Sequence, residues 1–86
     1  MPDVEHNDFM EQIFFKIRVE RARQEKLFNG RKNTTLRWLA ILTEEVGELA
    51  QALLDEDKKG LETELTQVAA VAVAWGEHIL KGDVLE

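Results

Sequence analysis

The chain has 86 residues and no cysteine, and carries a net charge of −6. A domain of this length buries only about 60 to 65% of the surface that its unfolded chain exposes. Without cysteine, neither a disulfide framework nor a thiolate zinc site can supply the missing stability, so assembly with further copies is the expected remedy. The acidic balance speaks against nucleic acid as the main partner, because neutralising phosphates requires a basic surface.

The average hides an asymmetry. Lys16, Arg18, Arg21, Arg23, Lys26, Arg31, Lys32 and Arg37 fall in one segment with only Glu20 and Glu25 against them, which leaves the rest of the chain strongly acidic. A basic first third is therefore expected to fold against an acidic remainder. The opening MPDVEHND is polar and acidic, unlike a signal peptide, and no apolar run reaches the roughly 20 residues of a membrane span. A soluble, cytoplasmic protein with no membrane partner is expected.

One domain is expected over residues 1–86, with an N-terminal tail at 1–7 and a C-terminal tail at 82–86. The first helix is expected from about Asp8 to Leu27, with Asn7 or Asp8 as cap, Glu11 in a capping-box position, and Phe9, Ile13 and Ile17 at helical spacing. Asn29 and Gly30 break that pattern. Asn33, Thr34 or Thr35 can cap a second helix that runs to about Glu56. After the turn DEDKKG, a third helix is expected from Leu61 to Leu80, closed by Lys81 and Gly82. Its VAAVAVAW is small and apolar nearly all round, the mark of a central helix. The only proline is Pro2 and no alternating pattern lasts, so the fold class is all-α: an antiparallel bundle of three main helices, completed by oligomerisation.

At about 100° per residue from Trp38, the residues Leu42, Val46, Leu49 and Leu53 fall near 20° to 80°, while Ile41 and Ala52 fall near 300° to 320°. Glu45 lands inside this apolar arc, Glu48 at its edge and Glu44 just outside. On the third helix Glu64 falls between Val71 and Trp75, with Gln67 on the same flank. Glutamates early in a helix are favoured by its dipole, and an exposed acidic face needs no special account. That plain explanation fails for Glu45 and Glu64 together, since a lone carboxylate is costly to bury. Either the basic first third or a divalent metal must neutralise them. Residues three apart project side by side, so Glu45 with Glu48 and Glu64 with Gln67 form two pairs of oxygen donors, a set suited to magnesium or manganese.

EEVGE, followed fifteen residues later by ELTQ, resembles the E-E-x-x-E and E-x-x-D signature of the all-α nucleoside triphosphate pyrophosphohydrolases. This MazG-like superfamily also includes phosphoribosyl-ATP pyrophosphohydrolase and the dimeric dUTPases. The likeness covers residues 19–80, from ERARQEK to ELTQVAAVAVAW, and is nearest to small single-domain members found in phages and prophages. The resemblance implies magnesium-dependent cleavage of an NTP or dNTP into a monophosphate and pyrophosphate, in a nucleotide-pool house-cleaning role, by a homodimer or homotetramer. It implies metal ligands at Glu45, Glu48, Glu64 and Gln67, with Glu44 or Glu45 orienting or deprotonating the attacking water.

At position 67 this chain departs from the usual aspartate. A neutral amide can still ligate or hold a metal-bound water, but the site loses one negative charge; the small branch often has glutamine there.

For substrate contacts, Trp38 is a candidate to stack on a base, with the buried core as its plain alternative. Lys32, with Arg31 and Arg37, is a candidate to reach phosphates, with solvated loop charge as the plain alternative, and Gln24 and Lys26 in ERARQEK match a recurring feature of the small branch. Trp75 reads as core, and His6 and His78 as surface. A non-catalytic nucleotide-binding protein and a helical interaction module are the alternative functions.

Overall fold

The computed structural model describes residues 4–28 and 30–86, with side chains from residue 8 onward. It contains three helices, α1 (Val4–Phe28), α2 (Thr35–Leu54) and α3 (Lys58–Lys81). The all-α class follows as expected, and among the described residues no helix is long and apolar enough to cross a membrane.

The helix boundaries differ from the expected ones in instructive ways. α1 already includes residues 4–7, so Asp8 and Glu11 lie inside it and do not form its cap. It ends where Arg31 N bonds back to Phe28 O (3.0 Å), and Gly30 takes a positive φ of 73°. Asn29 lies outside the described residues. α2 starts on Thr34, whose side chain accepts from Arg37 N at 3.1 Å. It stops at Leu54, because Glu56 turns into the left-handed region (φ 54°) and brings Asp57 into place as the cap of α3. The Asp57 carboxylate accepts from Gly60 N at 2.9 Å and folds over that residue; a Cβ at position 60 would meet Asp57 Oδ2 at 2.2 Å. α3 therefore starts earlier than the apolar pattern alone suggested. Its end is the expected one: Gly82 adopts φ 76°, and Gly82 N and Asp83 N bond to the carbonyls of Ile79 (3.1 Å) and His78 (2.9 Å).

The expected C-terminal tail is not free. Leu85 N donates to Asn33 O (3.0 Å) and Thr35 N to Leu85 O (2.9 Å), a single parallel bridge that straps the chain's end to the start of α2. Val84 thereby reaches the core.

That core is small. Trp38, Val71 and Ala74 are buried together, with Ile41, Leu42 and Trp75 partly buried around them. α3 packs against both other helices, as its apolar circumference requires, and its alanines Ala70 and Ala74 vanish completely from the surface. Ion pairs tie the first helix to the third, Lys16 to Glu62 and Arg21 Nε to Glu77 Oε1 at 2.6 Å. Many large apolar side chains remain on the surface, including Phe9, Phe15, Leu53 and Ile79. The radius of gyration, 14.7 Å, exceeds the about 12 Å of a compact domain of this length.

Candidate metal centre and adjoining cleft

α2 presents Glu45 and Glu48 one turn apart, and α3 presents Glu64 opposite them. One carboxylate oxygen from each lies within 4.8 Å of the others. Among the described residues no lysine or arginine forms an ion pair with any of the three. The basic first third spends its charges elsewhere. Arg23 pairs with Glu20, Arg21 with Glu25 and Glu77, and Lys16 with Glu62.

The electrostatics follow from that crowding. Burial pushes the Glu45 carboxyl above its ordinary range, and the charges of Glu48, Glu64, Glu44 and Glu20 push it further. Glu64 is raised too, again by burial first and then by the neighbouring Glu48 carboxylate. Like charges held together without a counter-ion raise affinity for any cation that can reach them. The donor set is all hard oxygen, half-buried at Glu45 and Glu64 and open to water at Glu48. Such a set fits magnesium or manganese, which keep several waters, better than zinc.

Gln67 stands beside two of these carboxylates. With its amide oriented by hydrogen bonding, Nε2 donates to Glu45 Oε2 and to Glu64 Oε2, both at 3.1 Å. In this geometry the residue is a donor that bridges two carboxylates, whereas a metal ligand would have to turn its oxygen the same way.

Next to the carboxylates a cleft of about 280 Å³ opens between α1, α2 and α3. Glu20, Glu44, Glu45 and Gln67 line it together with Arg23, Arg31 and Arg37. Leu27, Phe28, Ile41 and Val71 contribute apolar wall, and the buried amides of Gln24 and Asn33 also face it. Gln24 Nε2 donates to Glu20 Oε2 (3.3 Å), but its Oε1 is buried without a partner. A buried, unsatisfied acceptor on the wall of a cleft is a natural place for a ligand's N–H or O–H.

The structure therefore brings together Glu44, Glu45, Gln67 and Gln24 around one cleft, with Glu48 and Glu64 grouped about Glu45, and separates three others. Trp38 is 1% exposed. It stacks on Trp75 (centroids 6.5 Å apart, planes 6° from parallel) and meets His78 edge-on at 5.0 Å, so it is core and no base can reach its ring. Lys32 is absent from the cleft lining and lies 3.5 Å from Asp83. Lys26 is exposed and also outside the lining. His78, expected on the surface, is buried beneath Trp38; the side chain of His6 lies outside the described residues.

Two residues with a place in the cleft were not singled out by the sequence reading, Glu20 and Arg23. The signal for Glu20 was present in the pattern: it shares the stripe of Ile17 and Gln24, a carboxylate among residues that face α3. Comparison of the chain with known family models, with curated proteins and with solved structures finds no significant match.

Proposed function

We propose that this protein is a magnesium-dependent nucleoside triphosphate pyrophosphohydrolase of the MazG-like kind, releasing a monophosphate and pyrophosphate from an NTP or dNTP. The observation that carries the reading is the Glu45–Glu48–Glu64 trio, in no ion pair with a lysine or arginine among the described residues, at the edge of a cleft that three arginines line. Carboxylates that repel one another, beside Arg31 and Arg37, which form no ion pair among the described residues, are complementary to a metal triphosphate.

In this reading Glu45, Glu48 and Glu64 hold the divalent cation, which when bound neutralises phosphate charge and acidifies water. Arg23, Arg31 and Arg37 bind phosphate oxygens with their planar forks. Gln24 and Asn33 offer amides to the polar edge of the base, while Ile41 packs on its face. Water attacks the α phosphorus, the bond to the α–β bridging oxygen breaks and pyrophosphate leaves. The proton goes to Glu44 or Glu45.

We place the same chain in a homodimer or larger homo-oligomer of antiparallel helices. Leu39, Leu42, Val46, Leu49 and Leu53 on α2 repeat at alternating spacings of three and four, as do Leu61, Leu65, Val68, Ala72, Trp75 and Ile79 on α3. Leu39, Val46, Leu53, Leu65 and Ile79 of these seams are about half exposed or more. The accessible surface of 6494 Å² is well above the roughly 5,200 Å² of a compact monomer of this mass. The difference is of the order that one partner contributes to a stable interface.

The test is to incubate the protein with a panel of NTPs and dNTPs, with magnesium and separately with manganese, and to assay pyrophosphate. No product from any nucleotide at high protein concentration sinks the enzyme reading. One observation favours a second reading: Gln67 already satisfies Glu45 and Glu64 as a donor, which suits a protein that binds nucleotide without hydrolysing it. That reading requires nucleotide to raise the melting temperature although no product forms.

A further inference from the structure

Position 67 removes a charge from the centre, since glutamine is neutral at any pH and here donates to the two carboxylates nearest to it. Three glutamates remain in the tight group. The cleft, however, holds another carboxylate that comes from a different helix. We infer that Glu20 of α1 supplies the charge absent at position 67, leaving its pair with Arg23 when a divalent cation is bound so that the oxygen donors come from all three helices. The inference rests on the metal-centre reading above and assigns a residue to it.

Three observations lead there. Glu20 lines the same cleft as Glu45 and Gln67. Its negative charge is felt at both Glu45 and Glu64. It is also the better buried half of an unequal pair: the Glu20 side chain is 13% exposed, while Arg23, which grips it through Nε (2.9 Å) and Nη2 (2.6 Å), is 54% exposed. A carboxylate sheltered in a cleft and held there by an arginine at its mouth has a partner that a divalent cation can replace. Gln24, the other residue bonded to Glu20, keeps a buried acceptor with no donor on the same cleft wall.

The exchange has a consequence for the anion. Once Glu20 turns to the cation, the fork of Arg23 is free to join Arg31 and Arg37 at the same cleft. Cation and triphosphate then favour each other's binding, because each takes one half of the Glu20–Arg23 pair.

The experiment measures Mn²⁺ binding to the whole protein by titration calorimetry, without nucleotide. Glu20→Gln is expected to weaken Mn²⁺ about tenfold, and Gln67→Asp is expected to restore most of that loss in the double variant. Glu11→Gln, which makes the same charge change on exposed α1 surface, is expected to stay within about twofold of the wild type. Arg23→Gln, which keeps the carboxylate and removes its competitor, is expected to tighten Mn²⁺ more than Arg18→Gln does, and it decides the matter should Glu20→Gln not fold. Wild-type affinity in Glu20→Gln, no rescue by Gln67→Asp, or equal effects of Arg23→Gln and Arg18→Gln would each overturn the role of Glu20 while leaving the metal centre intact. Failure of the wild-type chain to bind Mn²⁺ at all overturns the centre itself and this inference with it.

Discussion

Replacing Glu45 by glutamine gives the sharpest contrast between a metal cage and a structural network. Glu45 has two carboxylate neighbours within 4.8 Å. A unit-charge pair at that distance repels by about 1 kcal/mol in water and about 3.5 kcal/mol at an effective dielectric of 20. Glu48 is exposed and Glu45 half-buried, so screening keeps each pair near the lower figure. Against this relief stands a weaker bond from Gln67, which no longer meets a charged acceptor and costs about 1 kcal/mol. The chelator-treated variant is therefore expected to be more stable than the wild type by about 1 kcal/mol, a rise of about 4 to 8 °C in melting temperature for a chain of this size.

Magnesium should reverse the order. At a hundredfold excess over Kd a bound cation stabilises the wild type by about 2.7 kcal/mol, and Glu45→Gln forfeits most of it. Thermal unfolding followed by circular dichroism, in chelator and in magnesium, reads both effects. If Glu45→Gln melts below the wild type in chelator, and by the same margin in magnesium, then Glu45 is a strut of the fold and the reasoning is refuted.

Trp38→Phe is expected to cost stability through lost core packing, on the order of 1 to 3 kcal/mol, and to leave the KM for nucleotide unchanged; a tenfold rise in KM would return the residue to the binding site. Glu45 and Glu64 hold protons more tightly folded than unfolded, so the metal-free fold loses stability as pH rises from the ordinary carboxylate value of 4.5 through their raised range. Glu20 and Glu25, held below 4.5 chiefly by Arg23 and Arg21, add stability that is present above that value and lost as pH falls through their lowered range. Urea midpoints in chelator should thus fall on both sides of the carboxylate range, with magnesium abolishing the alkaline fall; a profile identical with and without magnesium contradicts this. For the seams, the wild type is expected to sediment as a dimer or larger, and Leu53→Lys combined with Ile79→Lys to shift it towards monomer; a wild-type chain that is monomeric at every concentration refutes the assembly.

Periodicity and capping chemistry were enough to read the three helices and the Gly82 terminus, and to narrow the second cap to Asn33, Thr34 or Thr35, because each depends on contacts within a few residues; the apolar circumference of α3 marked it as central. The same periodicity put Glu45 and Glu64 on apolar faces, and helical spacing put Glu48 beside Glu45. What one-dimensional spacing could not decide was which faces meet. Trp38 and Glu45 lie two turns apart on nearly one face of α2, yet the ring turns into the core with Trp75 and His78 while the carboxylate reaches the cleft's edge, a division made by the packing of α3. Likewise Arg31 and Arg37 enter the cleft and Lys32 does not, since the C-terminal strap at Leu85 fixes the loop and leaves Lys32 beside Asp83. Glu20 was legible as a charge on a buried stripe, but its meaning depended on α1 lying across α3 at that height. Local chemistry determined the elements and their carboxylates; long-range packing alone determined which carboxylates, arginines and amides share a cleft.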